Sequence, residues 1–305
     1  MALSPRSCIT VCSLLLATAA AQSQQRLAEK RDGKLQLPFL KFVPWQLDYP
    51  AAQAQAVKSG KLIFAYFTRS DERCIDSLSL ECGVFAEPEF KQFATKVVPF
   101  CHLTTGVKTD KHQDLFKAKG GTAFPRILFM DAKGKVLYVV KGERLADFTK
   151  GLSELEELAA LEKRVAAGER DAGLPLLRKQ LELDHLDFPG AKKRLRGLRL
   201  SKAQRAELDP LLSVAEILWV ARRAGSDVKA RVKAGEAFYA MKKKGRSPTG
   251  PAVYPYWRHL MWFAEQRNKP ELYEEALDTL KQEFPRMKFE DEDRVLRRLK
   301  SEAHK

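Results

Sequence analysis

Long apolar segments, paired histidines and phosphate-binding loops are missing from this sequence. The longest apolar run, residues 9–20, has about a dozen residues, whereas a helix needs about 20 to span a bilayer. The five histidines are scattered, and no cysteine or carboxylate stands near them at metal-ligand spacing. Neither a glycine-rich phosphate loop nor a nucleophile elbow occurs. We therefore predict no metal and no cofactor, and the common motif-bearing nucleotide enzymes and hydrolases are excluded.

Cysteine is also scarce, at five in 305 residues, which excludes a disulfide-rich scaffold. Two of the five, Cys8 and Cys12, lie in the first 21 residues, which have the pattern of a cleaved leader described below. The chain without this leader keeps Cys74, Cys82 and Cys101, an odd number. On one continuous helix, Cys74 and Cys82 would be separated by about 12 Å of rise, beyond the roughly 7 Å limit for a bridge. They can pair only if the first helical turn is disrupted. Cys101 lies within an apolar strand and is interpreted as a buried core residue.

The first 21 residues have the pattern of a signal peptide. Arg6 supplies the positive start, the apolar run follows, and Ala19 and Ala21 provide the small residues that a signal peptidase accepts. This predicts a periplasmic or secreted protein that is not integral to the membrane once the leader is removed; an uncleaved anchor is the alternative. Residues 22–41 are polar and then proline-punctuated, which predicts a linker.

A net charge of +15 is large, but it is shared almost equally by the two halves of the chain and is interleaved with acidic residues. A dedicated nucleic-acid face concentrates its charge, so we predict no specific nucleic-acid partner. The densest basic runs are residues 192–199 and 242–244. They are typical of solvated helix faces; the alternative is contact with an anionic envelope surface or polymer.

Residues 42–150 alternate between helical and strand patterns. A helix is predicted over 49–59 and is followed by an aromatic strand over 61–68. A helix from Cys74, a second strand over 97–103 and a hairpin around Gly134 complete a mixed sheet with helices on both faces. The fold class is therefore an α/β domain, followed from residue 151 by an all-α domain of six to eight helices that extends to residue 305.

Residues 227–285 of the helical domain indicate a helical-hairpin repeat. Their large and small apolar residues and a terminal proline are similar to a tetratricopeptide unit, at Trp257, Leu260, Leu277, Leu280 and Pro285. No clear neighbouring copy follows, and any packed helical hairpin could produce the same pattern.

Two features make residues 42–150 resemble the thioredoxin superfamily, especially the exported domains of thiol:disulfide interchange proteins. One is Trp45 before an alanine-rich helix and the aromatic strand that ends at Phe67. The other is Phe124-Pro125 before a strand and a glycine hairpin. The resemblance implies that Pro125 follows a cis peptide bond, faces the active site, and is preceded by backbone that pairs with substrate peptide.

The redox motif of that family, Cys-x-x-Cys at a helix N-terminus, is incomplete here. Cys74-Ile-Asp-Ser77 stands at its place, so the resemblance implies Cys74 as the nucleophile and Ser77 at the resolving position. Counting forward from Phe67 requires about two extra loop residues, and the charged residues 71–73 replace the family's usual tryptophan and small residues. Ala65 or Tyr66 occupies the place where the family often has a buried acid.

Two functions are consistent with these features. The first is thiol and disulfide handling on protein substrates through a monothiol, with catalytic residues Cys74 and Ser77 and substrate-binding residues Phe124 and Pro125. The alternative is a non-catalytic module, in which the thioredoxin-like fold and the helical repeat bind a protein or an envelope polymer.

Overall fold

A four-stranded mixed sheet organises the first part of the chain. In the computed structural model, which describes residues 5–70 and 74–303, the strands are β1 Ile63–Arg69, β2 Val98–Thr104, β3 Arg126–Met130 and β4 Val136–Val139. Their order is β2-β1-β3-β4; β1 and β2 are parallel, and β3 runs antiparallel to both β1 and β4. The predicted mixed sheet ending in a hairpin is therefore observed.

Within the described residues, seven helices accompany this sheet. They are α1 Pro5–Leu35, α2 Pro38–Phe42, α3 Tyr49–Ser59, α4 Ile75–Cys82, α5 Pro88–Ala94, α6 Leu115–Ala118 and α7 Leu145–Ala166, with a 3-10 turn at Val84–Ala86. The limits of α3 have local causes. The Asp48 side chain accepts a hydrogen bond from the Ala51 N–H at 2.9 Å, and Gly60 ends the helix with φ of +68°.

The central strand β1 is buried on both faces. Its Ile63, Ala65 and Phe67 side chains pack on α3 and α6, whereas Phe64 and Tyr66 face the aromatic side chains of α5, α7 and the 3-10 turn. A strand enclosed by helices in this way is apolar throughout, which is why the sequence predicts it so clearly.

The segment predicted as a linker, residues 22–41, is helical. It forms the C-terminal part of α1 and most of α2, and it contacts the loop after β2: Gln24 donates to the Gly106 carbonyl at 3.2 Å and accepts from the Lys108 N–H at 2.9 Å. Residues 22–32 have no proline or glycine and consist mostly of good helix formers, so a polar composition did not imply an extended chain. Residues 1–4 of the predicted leader lie outside the described residues.

A second unit contains only helices among its described residues. The chain divides into units 1–159 and 160–305, so the division falls within α7, nine residues after the predicted boundary. The further helices are α8 Gly173–Glu182, α9 Phe188–Arg196, α10 Lys202–Ala224, α11 Val228–Lys243, α12 Val253–Gln266, α13 Pro270–Glu283 and α14 Glu290–Ala303, with 3-10 turns at Arg170–Ala172 and Gly250–Ala252.

The core of the second unit is centred on α11, α12 and α13. Phe238, Tyr256 and Leu277 are almost completely buried in it. Helices α11 and α12 approach closely at Gly235, where an added Cβ would lie 2.1 Å from the carbonyl oxygen of His259. This glycine is required because a side chain would meet backbone. A tetratricopeptide-like repeat in this region stays a prediction.

Among residues 5–70 and 74–303, none of the helices combines the length and the apolar character needed to traverse a bilayer.

Candidate active site around Cys74

Cys74 lies at the start of α4, close to the loop that enters β3. It is the N-cap residue of this helix, and its thiol donates a weak hydrogen bond to the carbonyl oxygen of Phe124, at an Sγ–O distance of 3.7 Å. The Phe124–Pro125 peptide bond is cis. The structure thus brings together Cys74, Phe124 and Pro125, which are 50 residues apart in sequence. Residues 71–73, predicted as a charged loop, lie outside the described residues.

Cys74 is the N-cap residue of α4, but its side chain makes no capping hydrogen bond to the backbone N–H groups of the helix. The Phe124 carbonyl accepts a hydrogen bond from the protonated thiol, and a thiolate has no proton to donate to it. Reaction at Cys74 therefore requires that this contact be given up, which an incoming disulfide would do by displacing it.

Ser77 lies one turn further along α4 and is directed into the protein. Only 1% of it is exposed, and its Oγ has no hydrogen-bond partner among the described residues. Cys74 is half-buried, so the two residues of the Cys-x-x-Ser motif differ in their access to solvent. Because Ser77 is buried and carries a hydroxyl, an adduct on Cys74 has no second sulfur beside it.

A buried carboxylate, Glu81, lies one turn beyond Ser77 on the same face of α4. Its Oε1 accepts hydrogen bonds from the hydroxyls of Tyr66 at 2.7 Å and Thr68 at 3.2 Å, and its Oε2 lies 2.5 Å from the Lys34 Nζ. Burial and the charge of Glu81 raise the pKa values of the Tyr66 hydroxyl and the Cys101 thiol. Both groups therefore remain protonated at neutral pH.

Glu81 was not predicted from the sequence. The resemblance noted only that Ala65 or Tyr66 of β1 stands where the family often has a buried acid; the buried acid observed here belongs to α4 and accepts a hydrogen bond from the Tyr66 hydroxyl. A signal was available in the spacing: Ser77 and Glu81 are four residues apart, so on a helix they share one face. A charged residue is seldom fully buried, so nothing in the composition marked Glu81 as a buried acid.

Cys74, Cys82 and Cys101 are free thiols. Cys82 is exposed at the end of α4, and Cys101 is buried in β2 as expected from its apolar surroundings. Helix α4 is continuous between Cys74 and Cys82, so the condition for pairing them, a disrupted first turn, is not met.

Phe124 also has an ordered environment on its ring side. Its ring stacks on that of Phe116 with centroids 3.9 Å apart, and the guanidinium of Arg69 lies 5.7 Å from its centroid. Arg126 follows Pro125; burial lowers its pKa, and its Nε is buried without a partner among the described residues. The backbone around the Phe124 carbonyl is thus held by aromatic packing.

A separate concavity of about 330 Å³ lies between α1 and the edge strand β2, and Cys74 is not part of its lining. His102 of β2 lines it, with a buried Nε2 that has no partner among the described residues. Burial, and to a smaller extent the charge of His112, lowers the pKa of His102 to about 4. This imidazole is therefore neutral at physiological pH.

No group of three or more His, Cys, Asp or Glu side chains within the described part of the chain is placed to hold a metal ion.

Comparisons with known proteins provide little beyond this geometry. No protein-family model matches the chain, and no curated protein matches it. Among solved structures it is similar to one described as "DsbH Oxidoreductase", with a TM-score of 0.30 and 22% sequence identity, over 35% of this chain and 81% of that chain. A likeness this small does not establish a family.

Proposed function

We propose that this protein is an exported thioredoxin-like protein that handles the disulfides of protein substrates through the single thiol of Cys74. The observation that supports the proposal is the position of this sulfur: it belongs to the N-cap residue of α4 and lies 3.7 Å from the Phe124 carbonyl oxygen, next to Pro125. A substrate cysteine approaching Cys74 would meet that carbonyl, which can accept a hydrogen bond from an extended peptide.

The chemistry available to a monothiol is exchange. The Cys74 thiolate attacks one sulfur of a substrate disulfide; the Cys74–substrate S–S bond forms, the substrate S–S bond breaks, and the second substrate sulfur leaves as a thiolate. Ser77 cannot attack the mixed disulfide because its hydroxyl is not a thiol. A second thiol, from the substrate or from a small-molecule thiol, must release Cys74, so the net reaction is disulfide rearrangement or thiol transfer.

The test compares two cysteines on the same helix. The purified mature protein is mixed with an aromatic disulfide reagent at neutral pH, and the adducts are located by peptide mass mapping over time. We expect Cys74 to react faster than Cys82, although Cys82 is the more exposed, because only Cys74 lies at a helix N-terminus. Cys74→Ser should remove the fast phase, and Cys82→Ser should leave it unchanged.

The rival proposal, a non-catalytic binding module, makes the opposite prediction. If Cys74 reacts no faster than Cys82, or does not react, thiol exchange is rejected and the thioredoxin-like unit is a scaffold. A direct readout of exchange is the recovery of a scrambled disulfide-bonded substrate, which should require Cys74 and a small-molecule thiol together.

Export is proposed from the leader pattern of residues 1–21. Expression of the full chain in a bacterial host, followed by fractionation and N-terminal sequencing, tests it. We expect a periplasmic or secreted protein that begins at Gln22; a cytoplasmic protein that retains Met1 would contradict this part of the proposal.

A further inference from the structure

Helix α9 and the first turn of α10 carry a dense group of positive charges. Residues 192–205 contain seven Lys or Arg side chains and no Asp or Glu. All seven are exposed, and none forms an ion pair with a carboxylate of residues 5–70 or 74–303. They form what we call the basic surface: Lys192, Lys193, Arg194, Arg196, Arg199, Lys202 and Arg205.

The backbone beneath the basic surface is fixed by packing and by caps. Ala191 is fully buried, and Leu195 packs on the same apolar core, which α9 shares with α8 and α10. Asp187 caps the N-terminus of α9, and Ser201 and Gln204 form a capping box at the start of α10. The cations are therefore carried by an ordered scaffold, and their side chains are left for solvent or a partner.

Helix α8, which packs on α9 and α10, adds no surplus of negative charge. Its Arg178 pairs with Glu207 of α10 at 2.5 Å, and its Lys179 pairs with Glu182 at 3.9 Å. The first acid of α10 is thus already neutralised by another helix.

The remaining carboxylates nearby do not cancel the charge of the basic surface. The Asp187 side chain accepts a hydrogen bond from the backbone in capping α9, and Asp209 is exposed without an ion pair among the described residues. When these two acids and Glu207 are counted against the seven cations, residues 187–209 still have a net charge of +4.

The basic surface has no free aromatic ring on which a nucleic-acid base could stack. Phe188 is the one aromatic residue of 187–209, and it is half-buried, with the Lys192 Nζ 5.4 Å from the centre of its ring. Proteins that bind single strands combine cations with exposed aromatic side chains. Large apolar side chains are not exposed in this stretch either, so none is available to insert among lipid tails. Binding here would depend on charge alone.

The cations spread over the outward side of α9 rather than along one line. Ala191 and Leu195 mark the inner side of this helix, and residues 192, 193, 194 and 196 lie around the remainder. At 3.6 residues per turn, these four positions cover about 200° of the helix circumference. Such a spread fits a layer of charged headgroups better than a single polymer strand, and groups of about four to eight Lys or Arg on an amphipathic helix are typical of sites for anionic phospholipids.

We propose that the basic surface holds the protein against a membrane that contains anionic phospholipids. The attraction is between the Lys and Arg side chains and the negatively charged headgroups, without insertion, so salt reverses it. The proposal concerns the second unit only and does not depend on the thiol chemistry of Cys74.

Sedimentation with vesicles tests this on the mature protein. Neutral vesicles consist of phosphatidylcholine, and anionic vesicles contain one-third phosphatidylglycerol in addition. We expect binding to the anionic vesicles at low salt, and neither binding to the neutral vesicles nor binding at high salt. Lys192→Gln/Lys193→Gln/Lys202→Gln should weaken the binding about 100-fold, because each cation near such a surface contributes about fivefold in affinity.

A matched control removes the same number of exposed lysines from α11 and its C-terminal end. Lys229→Gln/Lys233→Gln/Lys244→Gln lowers the net charge of the chain equally and should leave the affinity for vesicles close to that of the parent. All the substituted positions are exposed, so thermal unfolding should be the same in both variants.

A second variant retains the charge of the basic surface. Lys192→Arg/Lys193→Arg/Lys202→Arg should bind anionic vesicles as the parent does, because the headgroups attract either cation. A loss of binding in this variant would overturn the proposal.

Equal losses in the two Gln variants would show that binding follows the net charge of the whole chain, and they would also overturn it. So would equal binding to both kinds of vesicle, or binding to neither. If polyphosphate binds and the anionic vesicles do not, the basic surface is assigned to a soluble anionic polymer instead of a membrane. None of these outcomes changes the reactivity of Cys74, so this failure is distinguishable from failure of the proposed function.

Discussion

Two ion pairs with nearly the same geometry lie in the two units of the chain. In the first unit, Lys34 Nζ and Glu81 Oε2 are 2.5 Å apart, with 13% and 1% of their side chains exposed. In the second unit, Lys300 Nζ and Glu274 Oε1 are 2.6 Å apart, with 45% and 41% exposed. Distance does not distinguish these pairs, but burial does, because water screens the second pair and the first has only its protein partners.

The same contrast extends to the other polar side chains. Thr68, Ser77, Glu81, His102 and Thr105 are the described polar residues buried in the first unit; Gln180 and His259 are those of the second. Polar groups are buried around α4 and β2, whereas most of the described ion pairs of the second unit are at its surface; Arg258–Glu292, with 25% and 17% of the side chains exposed, is partly buried. In the first unit, buried polar groups that stabilise the fold therefore lie on the same elements as the candidate active site. We expect mutations of these groups to lower the free energy of unfolding more than mutations of the exposed ion pairs.

The largest effect should follow the loss of Glu81. Glu81→Leu leaves the Lys34 ammonium and the Tyr66 hydroxyl without their acceptor, and we expect the first unit to lose about 3–5 kcal/mol of unfolding free energy. Hydrogen exchange of β1 and α4 amides in the full chain measures this. Lys34→Met/Glu81→Leu should recover much of the loss because both charges are replaced; equal instability of the single and double variants would contradict the pairing.

Acidification gives the next largest effect. A neutral His102 with a pKa of about 4 in the folded state, against about 6.5 when unfolded, means that the unfolded chain binds more protons between these values. The stabilisation that comes from a neutral His102 in the folded state is fully present above pH 6.5. As the pH falls toward 4, the free energy of unfolding decreases by up to about 3 kcal/mol.

His102→Phe tests this, because it retains a ring beside Phe67 and Phe100 and removes the titration. The stability of the first unit, followed through β2 amide exchange, should then fall less between pH 7 and 4. Burial also lowers the pKa of His259, so His259→Phe should have the corresponding effect on α12 alone. An unchanged pH dependence in His102→Phe would show that protonation of His102 is not what destabilises the first unit at low pH.

A smaller loss of unfolding free energy is expected when an added side chain crowds two helices of the second unit. Gly235→Ala places a methyl group 2.1 Å from the His259 carbonyl oxygen, so α11 and α12 must separate, at a cost of about 1–3 kcal/mol. Gly197→Ala is the matched control, since its φ is −86° and its nearest obstacle is 3.5 Å away. Thermal unfolding should show a lower Tm only for Gly235→Ala; equal values would mean that the helices are not closely packed there.

The smallest effect should come from the exposed ion pair between Lys300 and Glu274. Lys300→Ala should change the unfolding free energy by no more than about 1 kcal/mol, and high salt should reduce the difference further. A loss comparable to that of Glu81→Leu, measured by exchange of α13 and α14 amides, would remove the distinction between the two pairs.

Local patterns predicted much of the fold. The limits of α3 were predicted to the residue, and β1 and β2 within two residues, because capping residues and apolar runs act over short distances. The helical character of residues 22–35 was missed because a polar composition suggested a linker. The position of Glu81 could not be read locally, since its partners Lys34, Tyr66 and Thr68 come from two other elements.

Lys34 reaches Glu81 from the N-terminal helix, and this has a practical consequence for anyone who trims the protein. Cutting at the predicted leader, after residue 21, keeps the lysine. A fragment that starts instead at residue 42, where the α/β pattern begins, would lack Lys34 and leave the buried Glu81 without its cation. A recombinant fragment designed from the sequence pattern alone would therefore be unstable for a reason unrelated to Cys74, and inactivity of such a fragment would say nothing about the thiol.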